Sequence, residues 1–83
     1  MSQHANREDI IKLLAYCVPD HRDEKTHLWR NKHGSLKFYV GNELLEMTLM
    51  WPNEEPVIST LSYRLGFNII NATVSAAINE LME

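Results

Sequence analysis

The chain has 83 residues, 45% of them hydrophobic and 23% charged, with a net charge of −3. That balance describes a globular domain and excludes a disordered tail, and the length suits one small domain, so residues 1–83 are expected to form a single domain. The lone cysteine, Cys17, excludes an internal disulfide, and the longest apolar stretch, IIKLLAYCV, contains a lysine and is far too short to span a bilayer. The start, MSQHANREDIIKLL, is polar and shows no signal-peptide pattern, so a soluble, cytoplasmic protein without a membrane role is expected.

The first element in chain order is a helix over residues 7–18. Asn6 can cap it, Glu8 and Asp9 sit in the first turn where the helix dipole favours negative charge, and Ile10, Ile11, Leu14, Cys17 and Val18 recur at helical spacing, with Leu13 beside them. Pro19 ends the run. PDHRDEKT reads as a polar connection, HLWRN (27–31) as a candidate third strand of a sheet, and NKHG as a turn. SLKFYV and ELLEMTLMW then alternate like two strands joined by Gly41-Asn42, a hairpin over 35–51. With that loop Val40 faces Glu43, Phe38 faces Leu45, Leu36 faces Met47, and Lys37 lies opposite Glu46 as an opposite-charge pair. One face carries Leu36, Phe38, Val40, Leu45, Met47, Leu49 and Trp51. The other carries Lys37, Tyr39, Leu44, Glu46, Thr48 and Met50.

Beyond the hairpin, Asn53 can cap a second helix that has Glu54, Glu55 and Pro56 in its first turn and Val57, Ile58, Leu61 and Leu65 as its apolar stripe. Gly66 is a natural stop. Asn71 can cap a third helix, buried along Val74, Ala77, Ile78 and Leu81. The expected fold is therefore α+β: a small antiparallel sheet packed with an N-terminal helix and a C-terminal helical hairpin.

Charge is unevenly placed. Residues 1–37 hold seven cations against five carboxylates, and all four histidines; residues 38–83 hold Arg64 alone against six glutamates. No arrangement of nucleophile and base stands out, and Glu54 and Glu55 read as helix-start acids, so no enzyme activity and no cofactor are expected. Cys17, His21, His27 and His33 are zinc-type residues, but their spacing matches no close-paired ligand pattern, and no metal is expected.

Residues 45–83 resemble a ribbon-helix-helix DNA-binding unit. MTLMWP is similar to that family's alternating strand ending in Trp-Pro, Val57, Ile58 and Leu61 sit where its first helix is apolar, and INATVSAAI is similar to the polar-capped start of its second helix. The resemblance implies a homodimer that pairs two strands into a ribbon, with Glu46, Thr48 and Met50 turned toward base edges. TLSYRLGFNIINATVSAAINEL also resembles a helix-turn-helix at Leu61, Leu65, Gly66, Val74 and Ile78, although FNIINAT lengthens the step from the glycine to the next buried valine.

The leading functional expectation is a non-enzymatic interaction module, an adaptor or inhibitor that binds another protein through its acidic second half, with Glu43, Glu46, Glu54 and Glu55 as the contact residues. The alternative is a dimeric DNA-binding regulator. Nucleic acid would then meet Glu46, Thr48 and Met50, or the basic residues Arg30, Lys32 and Lys37 near Trp29.

Overall fold

A computed structural model describes residues 4–18, 20–21 and 25–82. Met1, Ser2, Gln3, Pro19, Arg22, Asp23, Glu24 and Glu83 lie outside the described residues, and with them the proline expected to end the first helix and part of the polar connection. The elements run α1 (Arg7–Cys17), β1 (Asp20–His21), β2 (Thr26–Arg30), β3 (Ser35–Val40), β4 (Leu44–Met50), β5 (Val57–Ser62), a 3-10 turn (Tyr63–Leu65) and α2 (Phe67–Met82). The strands form one antiparallel sheet in the order β1-β2-β3-β4-β5, so each strand pairs only with its sequence neighbours. Both helices lie over β3 on one face of the sheet and touch each other.

α1 forms as its sequence dictates. Asn6 is its N-cap, accepting the Glu8 N–H at 2.9 Å, and Ile10, Leu13 and Leu14 turn into the core. β3 and β4 alternate as read, burying Leu36, Phe38, Val40, Leu45 and Met47 on the helix-covered face. Their register differs from the expected one. Val40 pairs with Leu45, Phe38 with Met47 and Leu36 with Leu49, and the two-residue loop is Asn42-Glu43, closed by the Gly41 N–H donating to the Leu44 carbonyl at 2.9 Å. Lys37 therefore faces Thr48, and Glu46 faces Tyr39. The expected register would have set Glu43 on the core face opposite Val40. The observed one puts that carboxylate in the loop and leaves only apolar residues across the core. Partners move by two positions, so each residue keeps its face.

The larger correction concerns residues 53–65. They are not the first arm of a helical hairpin. Pro52-Asn53 forms a β-turn in which the Glu54 N–H reaches the Trp51 carbonyl at 3.3 Å and Asn53 has φ 66°. Proline at the second position and a positive-φ asparagine at the third make it type II. β5 then pairs along β4 from Leu49–Val57 to Leu44–Ser62. Val57, Ile58 and Thr60 are β-branched and suit a strand, and the edge of β4 supplies the backbone partners a helix would have found internally. Of the expected helical stripe only Leu61 is buried; Val57, Ile58 and Leu65 are exposed. Gly66, with φ 94°, separates the 3-10 turn from α2, and its carbonyl accepts the Ile70 N–H, so α2 starts at Phe67 and not at an Asn71 cap. Ile70, Val74 and Leu81 are its buried positions, with Ala77 and Ile78 half-buried against the core.

Two residues tie the ends of the chain to the sheet. The Asn31 carboxamide oxygen accepts the His33 and Gly34 N–H groups in the β2–β3 turn, while its nitrogen donates to the Leu81 carbonyl at 2.8 Å. The turn thus holds one of the four orphan carbonyls at the end of α2. Gly34 lies so close to β4 that a Cβ there would run into the Met50 carbonyl oxygen, with Leu81 and Trp51 also in contact. Tyr63 does the corresponding work at the other end. Its hydroxyl donates to the Gly41 carbonyl at 2.8 Å, its N–H to the Glu43 carbonyl, and its own carbonyl accepts the Ala5 N–H at 2.7 Å. Burial pushes the Tyr63 phenol above its ordinary value of 10.0, with the Arg7 guanidinium pulling the other way.

Gly34→Ala is expected to destabilise the protein by about 1–3 kcal/mol, since the clash is with backbone and cannot be relieved by a rotamer; urea denaturation measures it. Tyr63→Phe is expected to cost about 1 kcal/mol at neutral pH through loss of the bond to Gly41. The folded state holds the Tyr63 proton more tightly than the unfolded chain does, so this contribution is complete below about pH 10 and is lost as pH rises through the folded value. The stability gap between wild type and Tyr63→Phe should therefore narrow in unfolding curves taken above about pH 10.

Candidate interaction surface

The helices leave part of the sheet uncovered. α2 packs over β3, and between it and β5 runs a cleft of about 260 Å³. Met47, Leu49, Val57 and Ser59 form its sheet side; Thr73, Ala76, Ala77 and Glu80 form its helix side. The cleft stays open because the residues facing it are short: two alanines, a threonine and a serine cannot fill the space between a helix and a sheet. Its walls are mostly apolar, and Val57 at its rim is 51% exposed.

β5 borders this cleft and is the free edge of the sheet. The Tyr63 N–H bond to the Glu43 carbonyl fixes which of its residues bond inward. In an antiparallel ladder such pairs alternate, so Leu61, Ser59 and Val57 exchange hydrogen bonds with β4, whereas the N–H and C=O groups of Ile58, Thr60 and Ser62 point outward. Edge strands are normally blunted by a lysine, a proline or a bulge. VISTLS has none of these and carries no charge, and Ile58 is 64% exposed. Pro56, which lacks an N–H, marks where the open stretch begins. At its other end, beside Ser62 and Arg64, lies a wide depression of about 530 Å³ also bordered by His4, Asn42 and Glu43. The opposite edge of the sheet is the two-residue β1.

The four glutamates expected to meet a partner do not form one patch. Glu43 is exposed in the β3–β4 loop, Glu54 and Glu55 are exposed in the β4–β5 turn at the far end of that hairpin, and Glu46 is half-buried in mid-strand opposite Thr60. They bracket β5 from both ends.

The residues considered for nucleic acid converge more closely. Arg30, Lys37, Glu46, Thr48 and Met50 share the sheet face turned away from the helices, with Tyr39 among them, and Lys32 is exposed in the β2–β3 turn. Two shallow depressions mark this face, about 210 Å³ by Arg30, Lys37 and Met50 and about 150 Å³ by Lys37, Tyr39 and Glu46. Glu46 puts a negative charge in its middle. The strand-helix-helix order implied by the ribbon-helix-helix resemblance is not adopted, because residues 57–62 are a strand.

Among the described residues no three metal-type residues gather. Cys17 is half-buried on α1, His27 is buried on the core face opposite Phe38 and pairs with His21 of β1, and His33 is exposed in a turn. Strand alternation places His27 inside. Trp29, on the same face of β2, packs against the core as its size favours. No helix among the described residues is long and apolar enough to cross a membrane.

No protein-family model matches this chain, and neither a curated protein nor a solved structure matches it significantly.

Proposed function

We propose that this chain is a soluble, cytoplasmic, non-enzymatic interaction module that acts as an adaptor or inhibitor by adding an extended segment of another protein to the edge of β5. One observation carries the reading: β5 is an open edge of six residues without charge, proline or bulge, flanked by an apolar cleft. Outward N–H and C=O groups on Ile58, Thr60 and Ser62 supply the affinity of strand addition, and the cleft takes an apolar side chain from the incoming strand, which supplies selectivity. Glu54 and Glu55 at one end and Glu43 at the other favour a segment flanked by basic residues. The single cysteine, free and half-buried, suits a reducing compartment.

Ile58→Lys tests this directly. The side chain is exposed on the face away from the core, so folding is expected to survive, while a lysine on the edge opposes strand addition. Proteins captured by the wild type are expected to bind Ile58→Lys roughly tenfold or more weakly, a loss of about 1.4 kcal/mol, and to bind the outer-face variant Lys37→Glu unchanged. Undiminished binding to Ile58→Lys would end the edge-strand reading. Tight, salt-sensitive binding of duplex or single-stranded nucleic acid, lost in Lys37→Glu, would move the function to the outer sheet face.

A further inference from the structure

The β5 edge offered to another protein is equally open to a second copy, and the geometry points to that copy as its occupant in the isolated protein: we infer that a second copy of this chain pairs its β5 antiparallel to β5, on a two-fold axis through Thr60, and that another protein's strand displaces it. The inference rests on the reading of β5 as an open edge and makes the second copy a competitor for it.

The register follows from the ladder. Only Ile58, Thr60 and Ser62 present outward groups, at every second residue. Two-fold antiparallel pairing that engages all three has one solution, with Thr60 opposite Thr60 of the second copy and Ile58 opposite its Ser62. Shifted pairings use fewer of these groups. Pro56 lacks an N–H and closes the ladder at one end.

Charge agrees with the same register. The chain leaves β5 after Ser62 for the 3-10 turn, so Arg64 lies at the same end of the paired strands as the β4–β5 turn of the second copy, which carries Glu54 and Glu55. The symmetry produces this arrangement twice. Arg64 is the only cation in residues 38–83 and is exposed, as are both glutamates. The depression beside Ser62 and Arg64 leaves room for the incoming turn, although Glu43 also borders it.

Area sets a further condition. A stable interface buries on the order of 800 Å² per partner, about a seventh of this chain's 5652 Å² surface. One six-residue strand edge does not supply that alone. The α2 flank of the cleft must contribute, and it is built for close approach: Thr73 and Ala76 are small, and Ile69, one turn earlier on the same face, is 52% exposed. In the pair the two β5 strands become the centre of one continuous sheet, and a helix of each copy lies beside the junction.

The test reads oligomeric state and single amides together. Light scattering and sedimentation of the full chain from micromolar to millimolar concentration should show a dimer, and hydrogen exchange at the Ile58, Thr60 and Ser62 amides should slow as the dimer forms. Those of Ser59 and Leu61 should be protected throughout by β4. Thr60→Pro removes the central donor and should weaken the dimer by roughly tenfold or more. Arg64→Glu should also weaken it, and adding Glu54→Arg and Glu55→Arg in the same chain should restore it, which a merely misfolded variant would not show. A monomer at all concentrations, with the three outward amides exchanging freely, overturns self-pairing. So does a dimer in which those amides stay unprotected. In either case the response of captured proteins to Ile58→Lys shows separately whether strand addition by a different partner stands or falls as well.

Discussion

Two helices have to cover the core face of a sheet that is wider than they are. A helix is about 10 Å across and strands lie about 4.8 Å apart, so two helices side by side cover roughly four strands and no more. Here both sit over β3, the middle strand, and the shortfall is concentrated at β5. The sequence of β5 is adapted to this position only in part. Leu61, near its end, is buried under the packing around Tyr63, while Val57 and Ser59 face a gap. The exposed apolar rim, the open ladder and the cleft are three results of one mismatch in width.

Polar contacts from Asn31 and Tyr63 hold the covered part of the sheet. Asn31 joins the β2–β3 turn to the last turn of α2, and Tyr63 joins the N-terminal segment to the β3–β4 loop. Both act on backbone groups that strands and helices leave unsatisfied at their ends, which is where a small domain loses most to fraying. Gly34 lets the first of these contacts form by allowing the turn to lie directly against β4.

α1 was legible because its cap, its acidic first turn and its apolar stripe agree. The β3–β4 faces were legible because a period of two survives a shift of register. The loop position was not, since Gly41-Asn42 and Asn42-Glu43 are both two-residue loops and only the cost of an inward Glu43 separates them. Residues 57–65 misled because Val57, Ile58, Leu61 and Leu65 match a helical spacing, and Asn53 and Pro56 mimic a helix start. The opposing signals were present in Pro52-Asn53, a type II turn pair, and in three β-branched residues among six. Which strand would lie at the edge could not be read from local pattern at all, because an edge is a property of the whole sheet order. Of the contact residues, the acids were visible as composition, but their separation along β4 and β5 depended on the hairpin that replaced the helix. The roles of Asn31 and Tyr63 were hidden for the same reason: each acts on a group distant in sequence.

The strict neighbour-to-neighbour order of the strands also bears on how the chain folds. Every strand pairing can close through a short connection, so the sheet can assemble hairpin by hairpin with little loop entropy to overcome. The contacts that span the chain are made by its ends, where Ala5 meets Tyr63 and Asn31 meets Leu81. Docking of the two helices closes longer loops than any strand pairing and costs more loop entropy. Until it occurs, both faces of the meander are bare.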